Sequence, residues 1–119
     1  MQIEDRHEGP VLIVKPMEPA LDAYAAGSFR DHMAGHIQSG DRRIVLDLSQ
    51  IQFLDSTGLG AIVSSYKRLE GDGTVVICHA GEMVMDVFRL TRMDRVFPIV
   101  RSETEAVSQA GRYEIRRAA

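Results

Sequence analysis

Ile44-Val45-Leu46-Asp47-Leu48-Ser49, followed by Ile51 and by Phe53-Leu54-Asp55-Ser56-Thr57-Gly58-Leu59-Gly60, is the stretch that decides the fold class. Its opening residues form an almost continuous β-branched and leucine run, as a strand requires when its sheet is covered on both faces, so a central position is predicted. Ser49 to Asp55 reads as an exit loop. From Leu59 onward, Ile62, Val63, Tyr66 and Leu69 step by three and four, with Ser64, Ser65, Lys67 and Arg68 opposite, which predicts an amphipathic helix. A buried strand leading directly into such a helix is the first half of a βαβ unit.

The flanking segments continue the alternation. Upstream, Gln2–His7 alternates weakly, Glu8-Gly9-Pro10 is turn chemistry, and Val11–Val14 reads as a buried strand, so the chain opens with a hairpin. Pro16 and Pro19 interrupt any ladder, and Asp22 is placed to start a helix with apolar positions Ala25 or Ala26, Phe29, Met33 and Ile37. Ser39-Gly40-Asp41 ends it. Downstream, Glu70-Gly71-Asp72-Gly73 stops the second helix and Thr74–His79 is another β-branched strand. Gly81-Glu82 introduces a third helix carrying Met83, Val87 and Leu90, and Phe97–Val100 reads as a last short strand. Ser102 caps a final helix over Thr104–Ala110 with acidic first-turn residues, and Gly111–Ala119 reads as a polar tail that frays. The fold class expected is α/β: a small, mixed, mostly parallel sheet with an N-terminal hairpin and about four helices packed on it.

Composition narrows the function classes. A chain of 119 residues, 45 % hydrophobic, makes one core and not two. A single cysteine closes no intrachain bridge. Apolar runs such as Val11–Val14 fall far short of the roughly 20 residues that span a bilayer, so no membrane insertion is expected and a cytoplasmic location is the default. With a net charge of −3, the long-range field does not draw in nucleic acid or an anionic surface.

The loop after the central strand carries the functional information, because open α/β sheets place functional loops at the carboxyl ends of strands. Asp55, Ser56 and Thr57 are all N-cap types, and one cap suffices to start a helix. One account is a redundantly capped turn in which Gly58 and Gly60 allow close helix packing. The other makes one hydroxyl a phosphoryl acceptor, at a helix N-terminus whose free N–H groups and partial positive charge suit a phosphate.

The Ile44–Ser49 strand and the Asp55-Ser56-Thr57-Gly58-Leu59-Gly60 loop resemble, almost position for position, the central strand and phosphorylation loop of STAS domains of the anti-sigma factor antagonist family. Leu21-Asp22-Ala23 resembles that family's acidic entry to its first helix, and Val87–Phe97 its third helix and the turn into the last strand. The resemblance runs from about Val11 to Ala110 and implies a single STAS domain over residues 1–119, with 112–119 as a frayed tail. It implies a partner switch with no enzymatic activity and no cofactor. Such a protein, unphosphorylated, binds an anti-sigma factor that is also a serine kinase; phosphorylation by that partner ends the complex, and a serine phosphatase resets it. By the same resemblance Ser56 is the acceptor, with Thr57 the alternative, and Asp22, Asp55, Thr57, Gly58, Leu59 and Gly60 lie on the docking surface. The other reading is a STAS scaffold, or the cytosolic subunit of a stressosome-like or transporter assembly, without phosphate turnover. One departure stands out: Glu18-Pro19-Ala20 precedes Leu21 where the family usually has a glycine two residues before the acidic position, and a proline shapes that loop differently.

Other motifs are set aside on chemistry. Asp-Ser-Thr-Gly also occurs in aspartic proteases, whose mechanism needs a second carboxylate in an all-β setting. Ser56 lies in no Gly-x-Ser-x-Gly elbow, and Gly58-Leu59-Gly60 meets Val63 where a dinucleotide fingerprint has its third glycine. His32 and His36 are four apart on a predicted helix, but with no third ligand at recognisable spacing no metal is expected. Cys78 reads as a small buried hydrophobe, Arg89, Arg92 and Arg95 as a solvated helix end, and Met83, Met85 and Met93 as gap fillers with an interface as the lesser option.

Overall fold

The computed structural model describes residues 1–117. Its hairpin is β1 (Ile3–Glu8) antiparallel to β2 (Val11–Pro16), turned at Gly9 with φ of +58°, a left-handed conformation that suits glycine. The remaining long strands are β4 (Arg43–Asp47) and β6 (Thr74–Cys78), and they are parallel. With β7 (Ile99–Val100) they make a five-stranded sheet in the order β1-β2-β4-β6-β7. β4 is central and its last four residues are buried, as a strand covered on both faces requires.

Alternation along the strands sorts their side chains into two layers. Leu12, Val14, Ile44, Leu46, Val75 and Ile77 face a large core completed by α1 (Ala26–Gln38), α2 (Ser56–Lys67) and α3 (Glu82–Leu90). Val11, Ile13, Val45, Val76 and Cys78 face a smaller one, closed by Ala106 and Ala110 of α4 (Glu103–Gly111). Alanines there let α4 lie close on the sheet. α1 buries Ala26, Phe29, Met33 and Ile37, the helical series expected of it. Burying each of the larger three contributes about 1.5–3 kcal/mol.

Several expectations are corrected. Asp22 does not cap α1; its carboxylate accepts from the Tyr24 and Ala25 amides at 3.0 and 3.2 Å, making a turn that delivers the chain to the helix at Ala26. α3 is rotated from the expected face: Val84 and Phe88 are buried, whereas Met83 and Leu90 are 68 % and 85 % exposed. The ring of Phe97 decides this, since Phe88 and Tyr66 pack on it edge to face at 6.1 and 5.3 Å. The tail does not fray as far as Arg117. Asp72 accepts from the Arg116 and Arg117 amides, both at 2.9 Å, and from the Tyr113 hydroxyl at 3.2 Å, while Arg43 donates to the Tyr113 carbonyl. Residues 118 and 119 lie outside the described residues. No helix among the described residues is long and apolar enough to cross a membrane.

Candidate functional site

Two short strands, each too brief to read from sequence, build the site. β3 (Ala20–Leu21) pairs in parallel with β5 (Phe53–Leu54) as a separate ribbon, so the loop expected over Ser49–Asp55 is partly strand. Pro19 is compatible with this because the ribbon uses its carbonyl, which accepts from the Gln52 and Phe53 amides at 2.7 and 3.0 Å, and needs no donor from it. The ribbon brings the entry to α1 against the entry to α2.

Asp55 locks that junction. Its backbone is extended, and its carboxylate accepts from the Gly58 amide at 2.8 Å and from the Ala23 amide at 3.3 Å. The first contact is the N-cap of α2; the second ties that cap to the loop after Asp22. Cap formation therefore rests on Asp55 alone. Ser56 and Thr57 are exposed on the first turn, and neither hydroxyl is spent on a hydrogen bond among the described residues. Their amides belong to the helix's unpaired first-turn donors.

Beneath them the site is packed. Gly58 is buried because the Leu21 carbonyl lies against it, and Leu59 is 7 % exposed in the main core. Both were expected on the docking surface; the structure places them below it, where they hold Ser56, Thr57 and the exposed Gly60 in position. Asp22 and Asp55 are half-buried at the rim, with their carboxylates committed to backbone amides.

The surroundings add features that sequence reading missed. Tyr24 is 98 % exposed and Phe53 is 50 % exposed, one from the loop after β3 and one from β5. Beside Ser56, a shallow groove of about 410 Å³ runs along Val63, Thr91 and Met93 between α2 and the end of α3. Ser56 therefore opens onto a groove with Leu59, Val63 and Met93 as its apolar lining and Ser64, Lys67 and Thr91 as its polar one. An aromatic in each of two connecting segments, Tyr24 and Phe53, was the available signal, but only the β3–β5 pairing brings those segments together.

Ser56 has no histidine or carboxylate hydrogen-bonded to its hydroxyl among the described residues. Cys78, elsewhere on β6, is fully buried, and burial, assisted by the Asp47 charge, pushes its thiol up to about 12. It stays protonated and inert.

The chain matches the STAS domain over residues 2–106. It belongs to the STAS domain family. The anti-sigma F factor antagonist of Paenibacillus polymyxa is 32 % identical over 111 residues, covering 92 % of this chain and 94 % of that one. Among solved structures, an anti-sigma factor antagonist from Mycobacterium paratuberculosis superposes with a TM-score of 0.85 at 20 % identity, covering 92 % and 93 % of the two chains. The Bacillus cell fate determinant SpoIIAA, solved in its phosphorylated form, superposes at 0.69 with 18 % identity, covering 91 % and 98 %. These likenesses show the STAS fold, with the Ser56 loop at the carboxyl side of its central strand.

Proposed function

We propose that this STAS domain is an anti-sigma factor antagonist that works as a partner switch. Unphosphorylated, it holds an anti-sigma factor that is also a serine kinase; phosphorylation of Ser56 ends the complex, and a serine phosphatase restores it. The domain contributes a substrate hydroxyl and a docking face and carries out no catalysis. The similarity to an anti-sigma F factor antagonist along most of both chains supports the partner class. SpoIIAA, solved in unphosphorylated and phosphorylated forms, supports phosphate control on this fold.

The observation that carries the reading is the division of labour at the start of α2. Asp55 alone caps the helix, so the exposed Ser56 hydroxyl is free to be modified without loss of the cap. A phosphate there adds about 1.5 to 2 negative charges next to first-turn amides that tolerate them. Against a carboxylate of a docked partner about 5 Å away, each added charge costs about 3 kcal/mol at an effective dielectric near 20. That is at least a hundredfold in affinity, achieved with the fold intact.

The test is the affinity of the partner anti-sigma factor for wild-type protein and for Ser56→Asp. The variant is expected to keep its thermal midpoint and to bind about a hundredfold more weakly. Equal affinity for the two proteins contradicts the switch and favours a scaffold that docks without phosphate turnover.

A further inference from the structure

A cluster of histidines and carboxylates lies at the N-terminal edge of the sheet, away from the Ser56 loop. β1 alternates its side chains: Arg6 turns toward α4, where it pairs with Glu103, while Asp5 and His7 turn toward α1 and the turn after it. His32 and His36 stand one helical turn apart on α1, their rings 5.0 Å between centroids. Asp5 Oδ2 is 2.7 Å from His32 Nε2 and 3.1 Å from His36 Nε2. The third ligand that sequence spacing could not find is thus Asp5, supplied by the antiparallel hairpin. All three side chains are about three-quarters buried.

Outside this set sits Asp41, from the turn after α1. One of its oxygens is 3.3 Å from His36 Nδ1 and the other is 2.8 Å from His7 Nε2. His36 therefore faces a carboxylate on each ring nitrogen. A neutral imidazole has a single N–H to give, so one of the two contacts sets a lone pair against an anionic oxygen unless a cation lies between them. The Asp41 contact lies at ion-pair distance; placing the proton on Nδ1, toward Asp41, leaves Nε2 unprotonated and facing Asp5 and His32. A carboxylate on one nitrogen with the other free is the arrangement that orients metal-binding histidines.

We propose that Asp5, His32 and His36 bind one zinc ion, with Asp41 orienting His36 from behind. Two imidazoles and a carboxylate suit zinc, whereas calcium and magnesium prefer oxygen alone. The ligand atoms all lie within 4.8 Å of one another. Tetrahedral zinc with bonds of about 2.0–2.2 Å sets neighbouring ligand atoms about 3.3 Å apart, so the Asp5 contacts, now 2.7 Å to His32 and 3.1 Å to His36, open by about 0.6 and 0.2 Å. The fourth position is left to water. Bound there, the ion ties the edge strand β1 to α1 and stabilises the hairpin; it takes no part in the Ser56 switch.

The experiment is a titration of tag-free, chelator-stripped protein with zinc chloride, followed by calorimetry and by backbone amide NMR. One equivalent binds saturably at micromolar zinc, and the resonances that move are those of Asp5, His32, His36 and their neighbours, with Ser56 unmoved. Zinc at a hundred times its Kd raises the thermal midpoint by about 10 °C. Cobalt substituted for zinc gives the intense visible bands of a tetrahedral site. His32→Gln abolishes one-to-one uptake, and Asp41→Asn weakens it about 10- to 100-fold at unchanged stoichiometry. Absence of saturable uptake by wild-type protein overturns the proposal. Shifts confined to another part of the sheet, or wild-type uptake by His32→Gln, overturn it equally.

Discussion

The carbonyl oxygen of Leu21 lies only 2.0 Å from where a Cβ on residue 58 would stand, so the first turn of α2 is built directly on the end of β3. Only glycine lets these two backbones meet. Gly58 also gives its amide to the Asp55 cap, which in turn holds Ala23, so one absent side chain sets the spacing of both loops around Ser56.

Gly58→Ala forces backbone against backbone, which no rotamer change relieves. It is expected to lower stability by about 3 kcal/mol, at the upper end of overpacking effects. Urea unfolding monitored by circular dichroism would show a lower midpoint at an unchanged slope. A variant as stable as wild type would mean that the approach of Leu21 to residue 58 is not maintained in solution.

Cys78 provides a check on the core. Its thiol is fully buried and shifted up to about 12, so a maleimide at neutral pH is expected to leave the native protein unlabelled. Labelling appears only as urea unfolds the chain, in parallel with the loss of circular dichroism. Rapid labelling in native buffer would contradict the packing of α4 over β6.

The C-terminal clamp makes a pH prediction. The Arg116 amide, then the Arg117 amide and the Tyr113 hydroxyl, hold the Asp72 carboxyl below its ordinary value of 3.8. A carboxyl depressed by folding stabilises the native state at pH above its unfolded value, and the contribution disappears as the pH falls through the folded one. The amide resonances of Arg116 and Arg117 are therefore expected to hold constant at neutral pH and to titrate with a midpoint below 3.8. A midpoint at or above that value, or resonances typical of free chain at neutral pH, would show the tail to be detached. Asp72→Asn removes the charge and abolishes the titration.

α3 is where sequence and structure part, and mutagenesis separates the two faces. Phe88→Ala is expected to cost about 3–5 kcal/mol, the usual loss for a buried phenylalanine. Leu90→Ala, on a side chain 85 % exposed, is expected to stay within about 0.5 kcal/mol of wild type. Thermal unfolding of the pair decides between the two registers, since the face read from spacing alone predicts the reverse order.

That contrast shows what the sequence can carry. Ile44–Leu48 was legible because a buried central strand needs apolar side chains on both faces, and few other elements do. The helical series of α1 was legible too, since Phe29, Met33 and Ile37 are the only large apolar residues on their helix. α3 holds Met83, Val87 and Leu90 as well as Val84 and Phe88, both series stepping by three or four, and only the position of Phe97 selects one. The β3–β5 ribbon was invisible because two-residue strands have no period. The Asp55-Ser56-Thr57 signal was visible as an excess of caps, but which residue caps the helix depends on backbone geometry: Asp55 is extended and bonded to the Gly58 amide. Asp5 joins His32 and His36 only through tertiary pairing and left no trace in spacing, whereas Asp41 reaches His36 locally from the turn after α1.

The partner switch requires that Ser56 accept a phosphate, which intact mass and fragment mapping read after incubation of the protein with ATP and the anti-sigma factor kinase it binds. A gain of one phosphate located on Ser56, absent from Ser56→Ala and retained by Thr57→Ala, is expected. Phosphate on Thr57 in the wild-type protein, or no uptake at all with a kinase that binds the domain, would contradict it.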